Sequence, residues 1–188
     1  MKKRFCFIII LAAMFLLLLT SCGPTAFRKV KEDGLTYFID RNSSLCFVSG
    51  WTWDGNEEHM TITIPDTVQG YKVTQLGGYA GGGNGWDFCI MPPAERSEAF
   101  VEWTLNKYLN EYKVVDMNIT LILGKNVSKL EKIHCKNYTI GLDEKGERVC
   151  YMPYVYVICD DENETFYSKD GKLYYRTNYS LVDEFNYR

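Results

Sequence analysis

The chain has 188 residues, with 21 Lys or Arg against 24 Asp or Glu and a formal net charge of −3. That length suits one domain with a real core rather than two, and the acidic balance argues against a nucleic-acid or anionic-membrane binder, which would carry clustered Lys and Arg. Fourteen Tyr, ten Phe and four Trp, set among many Val, Ile and Thr, favour sheet over helix.

The only basic cluster, Lys2-Lys3-Arg4, opens the chain; Phe5–Leu19 is then an unbroken apolar run of 15 residues, followed by Thr20, Ser21 and Cys22. A basic start, an apolar middle and small residues at the end describe a secretory signal peptide over 1–21. The run falls short of the ~20 residues a spanning helix needs. Leu19-Thr20-Ser21-Cys22 resembles the lipobox of bacterial lipoproteins. The resemblance implies that Cys22 becomes the new N-terminus with a lipid on its sulfur, and two or more acyl chains anchor stably where one is marginal. The alternatives are an ordinary cleaved signal and an uncleaved anchor. On the lipoprotein reading the protein sits lipid-anchored on the extracellular face of the membrane. Its exported 167 residues then carry 18 basic against 24 acidic groups.

Residues 22–34 read as a polar tether before a domain over 35–188. Tyr37–Asp40 and Leu45–Val48 flank the turn-forming Asp40-Arg41-Asn42-Ser43, a hairpin pattern. Met60, Ile62 and Ile64 then alternate with Thr61 and Thr63, and Pro65 stops the strand because it has no N–H to give. Val68 is expected to point inward. Gln69-Gly70 makes a bend, and Tyr71, Val73 and Gln75 share one face of a second strand. Gly77 to Gly85 holds six glycines in nine residues, the composition of a loop. Val101, Leu105, Tyr108, Leu109 and Tyr112 recur at helical spacing behind Pro93, Glu95 and Glu98, which predicts an inserted amphipathic helix at about 94–112. Ile119–Leu123, Gly124, Val127, Leu130 and Ile133 repeat the earlier strand-and-turn grammar. Turns are expected at Asp143–Gly146 and at Asp170-Gly171 between two aromatic runs, and 178–188 as a last edge strand.

The stretches 62–80, 119–133 and 161–176 together resemble the BspA-like leucine-rich repeat of bacterial surface proteins. Ile64-Pro65, Val68, Val73, Leu76 and Tyr79-Ala80 match one unit. Leu123-Gly124, Val127 and Leu130 match a second, and Asn163 through Tyr174 looks like the family's connecting hairpin. The departures are Gly81 where the family has Phe, and a 59-residue step from Ile64 to Leu123 where about 20–29 is expected. The resemblance implies a mainly β fold with one inserted helix: a short, degenerate β-solenoid with hairpin caps, a β-sandwich being the alternative. It also implies a non-enzymatic surface module contacting protein or glycan. The other functional reading is a surface hydrolase or solute-capture lipoprotein with the glycine-rich loop as lid.

Chemical motifs are sparse. Cys135 beside His134, and Cys46 with His59, are the only Cys/His pairings, and neighbours on a strand face opposite ways. Acids cluster at Asp54, Glu57 and Glu58 and at Asp160-Asp161-Glu162; the latter, with Asn163, lacks the ligand spacing of a calcium loop and reads as a solvated turn. The Gly-Gly-Gly-Asn-Gly run has no following Lys-Ser/Thr and is no phosphate loop. Asn118 and Asn163 fit the glycosylation triplet, which means little on a bacterial surface. Cys46, Cys89, Cys135, Cys150 and Cys159 are odd in number, so they form at most two internal pairs; one disulfide or buried single thiols are the alternatives. No catalytic residue, metal site or cofactor is expected. Trp51, Trp53 and Trp86 remain, on segments rich in Gly and acids, as aromatics able to stack on a sugar or anchor a protein partner, or as core and capping residues.

Overall fold

A computed structural model describes residues 27–40, 44–52, 59–78, 88–91, 97–101, 112–131, 133, 135, 138–143 and 145–187. Within them the chain is mainly β. One sheet runs β1 (Phe27–Glu32), β2 (Leu35–Asp40), β3 (Cys46–Thr52), β6 (Tyr71–Leu76) and β10 (Lys129–Leu130), with β5 (Thr67–Val68) paired to β6 and β7 (Cys89–Met91) to β3. The second runs β4 (His59–Ile64), β9 (Lys113–Leu123), β12 (Arg148–Cys159), β11 (Tyr138–Leu142) and β8 (Ser97–Val101). The hairpin β13 (Phe166–Lys169) and β14 (Lys172–Tyr175) stands apart.

The period-two pattern does its work in β4, where Met60, Ile62 and Ile64 are buried and His59, Thr61 and Thr63 exposed. β4, β9 and β12 are parallel and in step, so Ile62, Leu121 and Val157 lie side by side, as do Ile64, Leu123 and Cys159. In the first sheet β3, β6 and β10 are also parallel. The strands therefore cross between the sheets as the chain proceeds: β3, β4, β6, β9, β10, β12. Ile62, Ile64, Val73, Ile119, Leu121 and Val127 fall in one hydrophobic core. Each such side chain contributes about 1.5–3 kcal/mol relative to exposure.

The corners after β4, β9 and β12 stack on one another. Gly124 N donates to Ile64 O at 3.0 Å, and Asp160 N to Leu123 O at 3.0 Å. A Cβ on Gly124 would lie 2.6 Å from Asp66 Oδ1 and 2.8 Å from Ile64 O, so only glycine allows this approach. Val68, Val127 and Asn163 occupy equivalent inward places, four residues past the aligned Ile64, Leu123 and Cys159, and all are buried. The Asn163 Nδ2 donates to Gly124 O (3.0 Å) and Val127 O (2.8 Å), while its Oδ1 accepts from Thr165 N (2.9 Å) and Phe166 N (2.8 Å). All four of its hydrogen-bonding places are filled.

The hairpin turns follow their dipeptides. Asp33-Gly34, Gln69-Gly70 and Asp170-Gly171 each have positive φ at both central residues, the type I′ geometry that matches strand twist. The turn at Asp143–Gly146 joins β11 to β12 as expected, with Asp143 Oδ1 accepting from Lys145 N and Glu147 N.

Two expectations need correction. Residues 27–32, placed in the tether, form β1 and pair with all of β2. The polar text hid this strand because only one of its faces meets apolar side chains: Phe27 packs edge-on against Phe47, which stacks on Phe38. The helix expected at 94–112 is also not seen: residues 97–101 are β8, extended and antiparallel to β11. Ladder pairing with β11 overrides the helical propensity of the Ser-Glu-Ala stretch, as tertiary context routinely does. Residues 102–111 lie outside the described residues. So do the signal segment with Cys22, Trp53, Trp86 and 79–87 of the glycine run. Gly77 and Gly78, which open that run, are ordered into the sheet: Gly77 N donates to Val48 O at 2.7 Å, and a Cβ on Gly78 would sit 2.9 Å from the Phe47 ring.

Candidate functional site

The β1–β2 turn, the end of β3 and the outer strand β4 come together around a cavity of about 300 Å³. Glu32, Asp33, Tyr37 and Trp51 line it together with Thr61, Ile62, Thr63, Pro65 and Thr67. Each is placed by a local rule. The type I′ turn at Asp33-Gly34 sets Glu32 and Asp33 at the tip of a hairpin. Tyr37 points inward with Leu35 and Ile39 on β2. Trp51 pairs with Leu35 on one side and Ile90 on the other, and its half-buried indole packs on the core. The alternation of β4 sends Thr61 and Thr63 away from the core.

Tyr37 is 1 % exposed, and its side chain forms part of the cavity wall. Burial pushes its pKa well above the ordinary tyrosine value, and the Glu32, Cys46 and Asp33 charges add to that push. The hydroxyl therefore stays protonated and neutral, able to donate or accept.

Of the three tryptophans, the described residues place Trp51 alone at this site; Trp53 and Trp86 lie outside them. Glu32, Asp33 and Tyr37 escaped the reading of the sequence, although Asp33-Gly34 is the same hairpin signal as Asp170-Gly171. The Cys/His pairings gain no support. Cys46 is fully buried on β3 while His59 is exposed at the start of β4 in the other sheet, and burial pushes the Cys46 thiol up to about 12. Cys135 is buried beside Phe185, and His134 lies outside the described residues. Cys150 and Cys159 are buried single thiols; burial raises both, Cys159 to about 11.

The acidic run after β12 is a self-satisfied turn. Asp160 Oδ1 accepts from Glu162 N at 2.8 Å, and Glu162 meets the Lys125 ammonium at 2.7 Å. Asn163, the glycosylation triplet's asparagine, is 1 % exposed with its amide spent. Among the described residues no group of three or more His, Cys, Asp or Glu is arranged to hold a metal ion.

No protein-family model matches the chain, and no characterised protein or solved structure is significantly similar to it.

Proposed function

We propose that the protein is a lipid-anchored, non-enzymatic binding module of the bacterial cell surface, contacting a protein or glycan partner through its Trp51 cavity. The cavity carries the reading: an indole wall, the Tyr37 side chain and outward threonines beside acids form a shaped polar-aromatic recess. Such a recess suits a partner group that stacks and hydrogen-bonds. The architecture behind it is a degenerate BspA-like β-solenoid. In-step parallel strands, stacked corners and inward Val68, Val127 and Asn163 support that reading. Lipid attachment at Cys22 rests on the Leu19–Cys22 resemblance.

Solute capture is the second reading, favoured by the same cavity, whose volume lies at the lower end of ligand pockets, roughly 300–1,000 Å³. Display of the full chain on cells, with partner capture and a glycan array read for the parent and for Trp51→Ala, tests the module. Capture that depends on Trp51 supports it, and identical capture by both proteins removes the cavity from the function. Mass spectrometry of the mature N-terminus tests the anchor: an unmodified chain beginning beyond Cys22 refutes it.

A further inference from the structure

The Trp51 cavity has a sign as well as a shape. Its described lining holds two carboxylates, Glu32 and Asp33, and no Lys, Arg or His. Sulfated or sialylated glycans and other anions are repelled there. The Trp indole is the best of the aromatic faces for a cation, which it attracts through its ring quadrupole. Tyr37, also in the lining, brings a phenol hydroxyl that can accept a hydrogen bond. An alkylammonium matches this set: it offers three donors on one compact charge at the end of an apolar stem. Its stem lies along an indole, its charge faces carboxylates, and one N–H reaches a phenol oxygen.

Resting on the reading of the cavity as a binding site, we infer that its occupant carries an alkylammonium group, seated on Trp51, facing Glu32 and Asp33 and hydrogen-bonded to Tyr37. Two sources supply that chemistry, a lysine side chain of a partner protein and a small free amine.

The probes are Nα-acetyl-lysine amide, its neutral Nε-acetyl analogue and 1,5-diaminopentane, titrated calorimetrically into the full chain in nanodiscs. The lysine derivative or the diamine is expected to bind at least about tenfold more tightly than the neutral analogue. Binding is expected to weaken at high salt and to drop about tenfold in Glu32→Gln/Asp33→Asn. Tighter binding of the lysine derivative assigns a protein source, and tighter binding of the diamine a free solute. Trp51→Phe keeps a ring on the core while weakening the quadrupole, so it is expected to bind several-fold less tightly with an unchanged melting temperature. Equal affinity for the neutral analogue overturns the inference. So does the absence of binding by folded protein, or amine binding indifferent to both Trp51→Phe and the double carboxamide variant. If surface capture still depends on Trp51 while no amine binds, the inference falls and the binding-module reading stands.

Discussion

Along the outer edge of β12, Val155 N donates to Asn186 O, Val157 N to Gly171 O and Cys159 N to Ser168 Oγ, while Pro153 has no N–H to offer and its carbonyl accepts from Asn186 Nδ2. Along β4, an end strand of the same sheet, Thr61 and Thr63 border a cavity instead. The first edge is sealed by the β13–β14 hairpin and the tail, and Arg176 laces the seal by donating to the carbonyls of Asn163, Phe166 and Asp161. Exposed strand edges are a liability that folds cover or blunt. The length of β12 that runs beyond β11 is thus covered, while the edge strand β4 borders the candidate cavity.

The largest test of that contrast is Asn163→Ala. It strips two carbonyls and two amides of their partner inside the sealed end, so a loss of about 3 kcal/mol or more is expected in denaturant unfolding. A loss below about 1 kcal/mol shows that the corner holds without its amide. Next come the glycine turns. Gly171→Ala combines a positive φ with Tyr156 ring atoms 2.2–2.9 Å from the new Cβ, whereas Gly70→Ala has the same sign of φ with nothing within 4 Å. The first is expected to cost about 2 kcal/mol and the second about 1; equal costs leave the hairpin's docking on β12 without energetic weight.

The buried thiols give a pH test. Unfolded chain releases these protons near 9, while the folded chain holds them until about 12 for Cys46 and about 11 for Cys159. The folded state binds more protons in that window, so stability falls as pH rises from about 9 to 11 and is untouched by these groups below it. Denaturant midpoints at pH 8 and 10.5, compared with those of Cys46→Ala/Cys159→Ala, measure it; parallel pH slopes refute it. The smallest effect is expected from Lys125→Ala. Its ion pair with Glu162 raises the Lys125 pKa but lies at the surface, where such pairs contribute little, and no measurable change in melting temperature should result.

What was legible in the sequence was what repeats at short range. The alternation of Met60, Ile62 and Ile64, the Pro65 stop, inward Val68 and Val127 and the Asp170-Gly171 hairpin all stand as read. The shared core of the 60s and 120s strands stands too. What failed was text whose fate depends on a pairing partner rather than on its own pattern. β1 is polar on one face and reads as linker until β2 supplies its ladder. Ser97–Val101 reads as the start of a helix until β11 lies alongside. The site was half legible: an aromatic such as Trp51 announces itself, and Glu32, Asp33 and Tyr37 reach it through the β1–β2–β3 pairing, but Thr61 and Thr63 come from the other sheet, which no local window contains.

Asn163 stands where its two predecessors have valine, and its amide turns back toward the corner beneath and the hairpin ahead. The inward place that valines fill twice by packing is filled the third time by hydrogen bonds, so the same position changes from an apolar plug to a clasp between corner and hairpin.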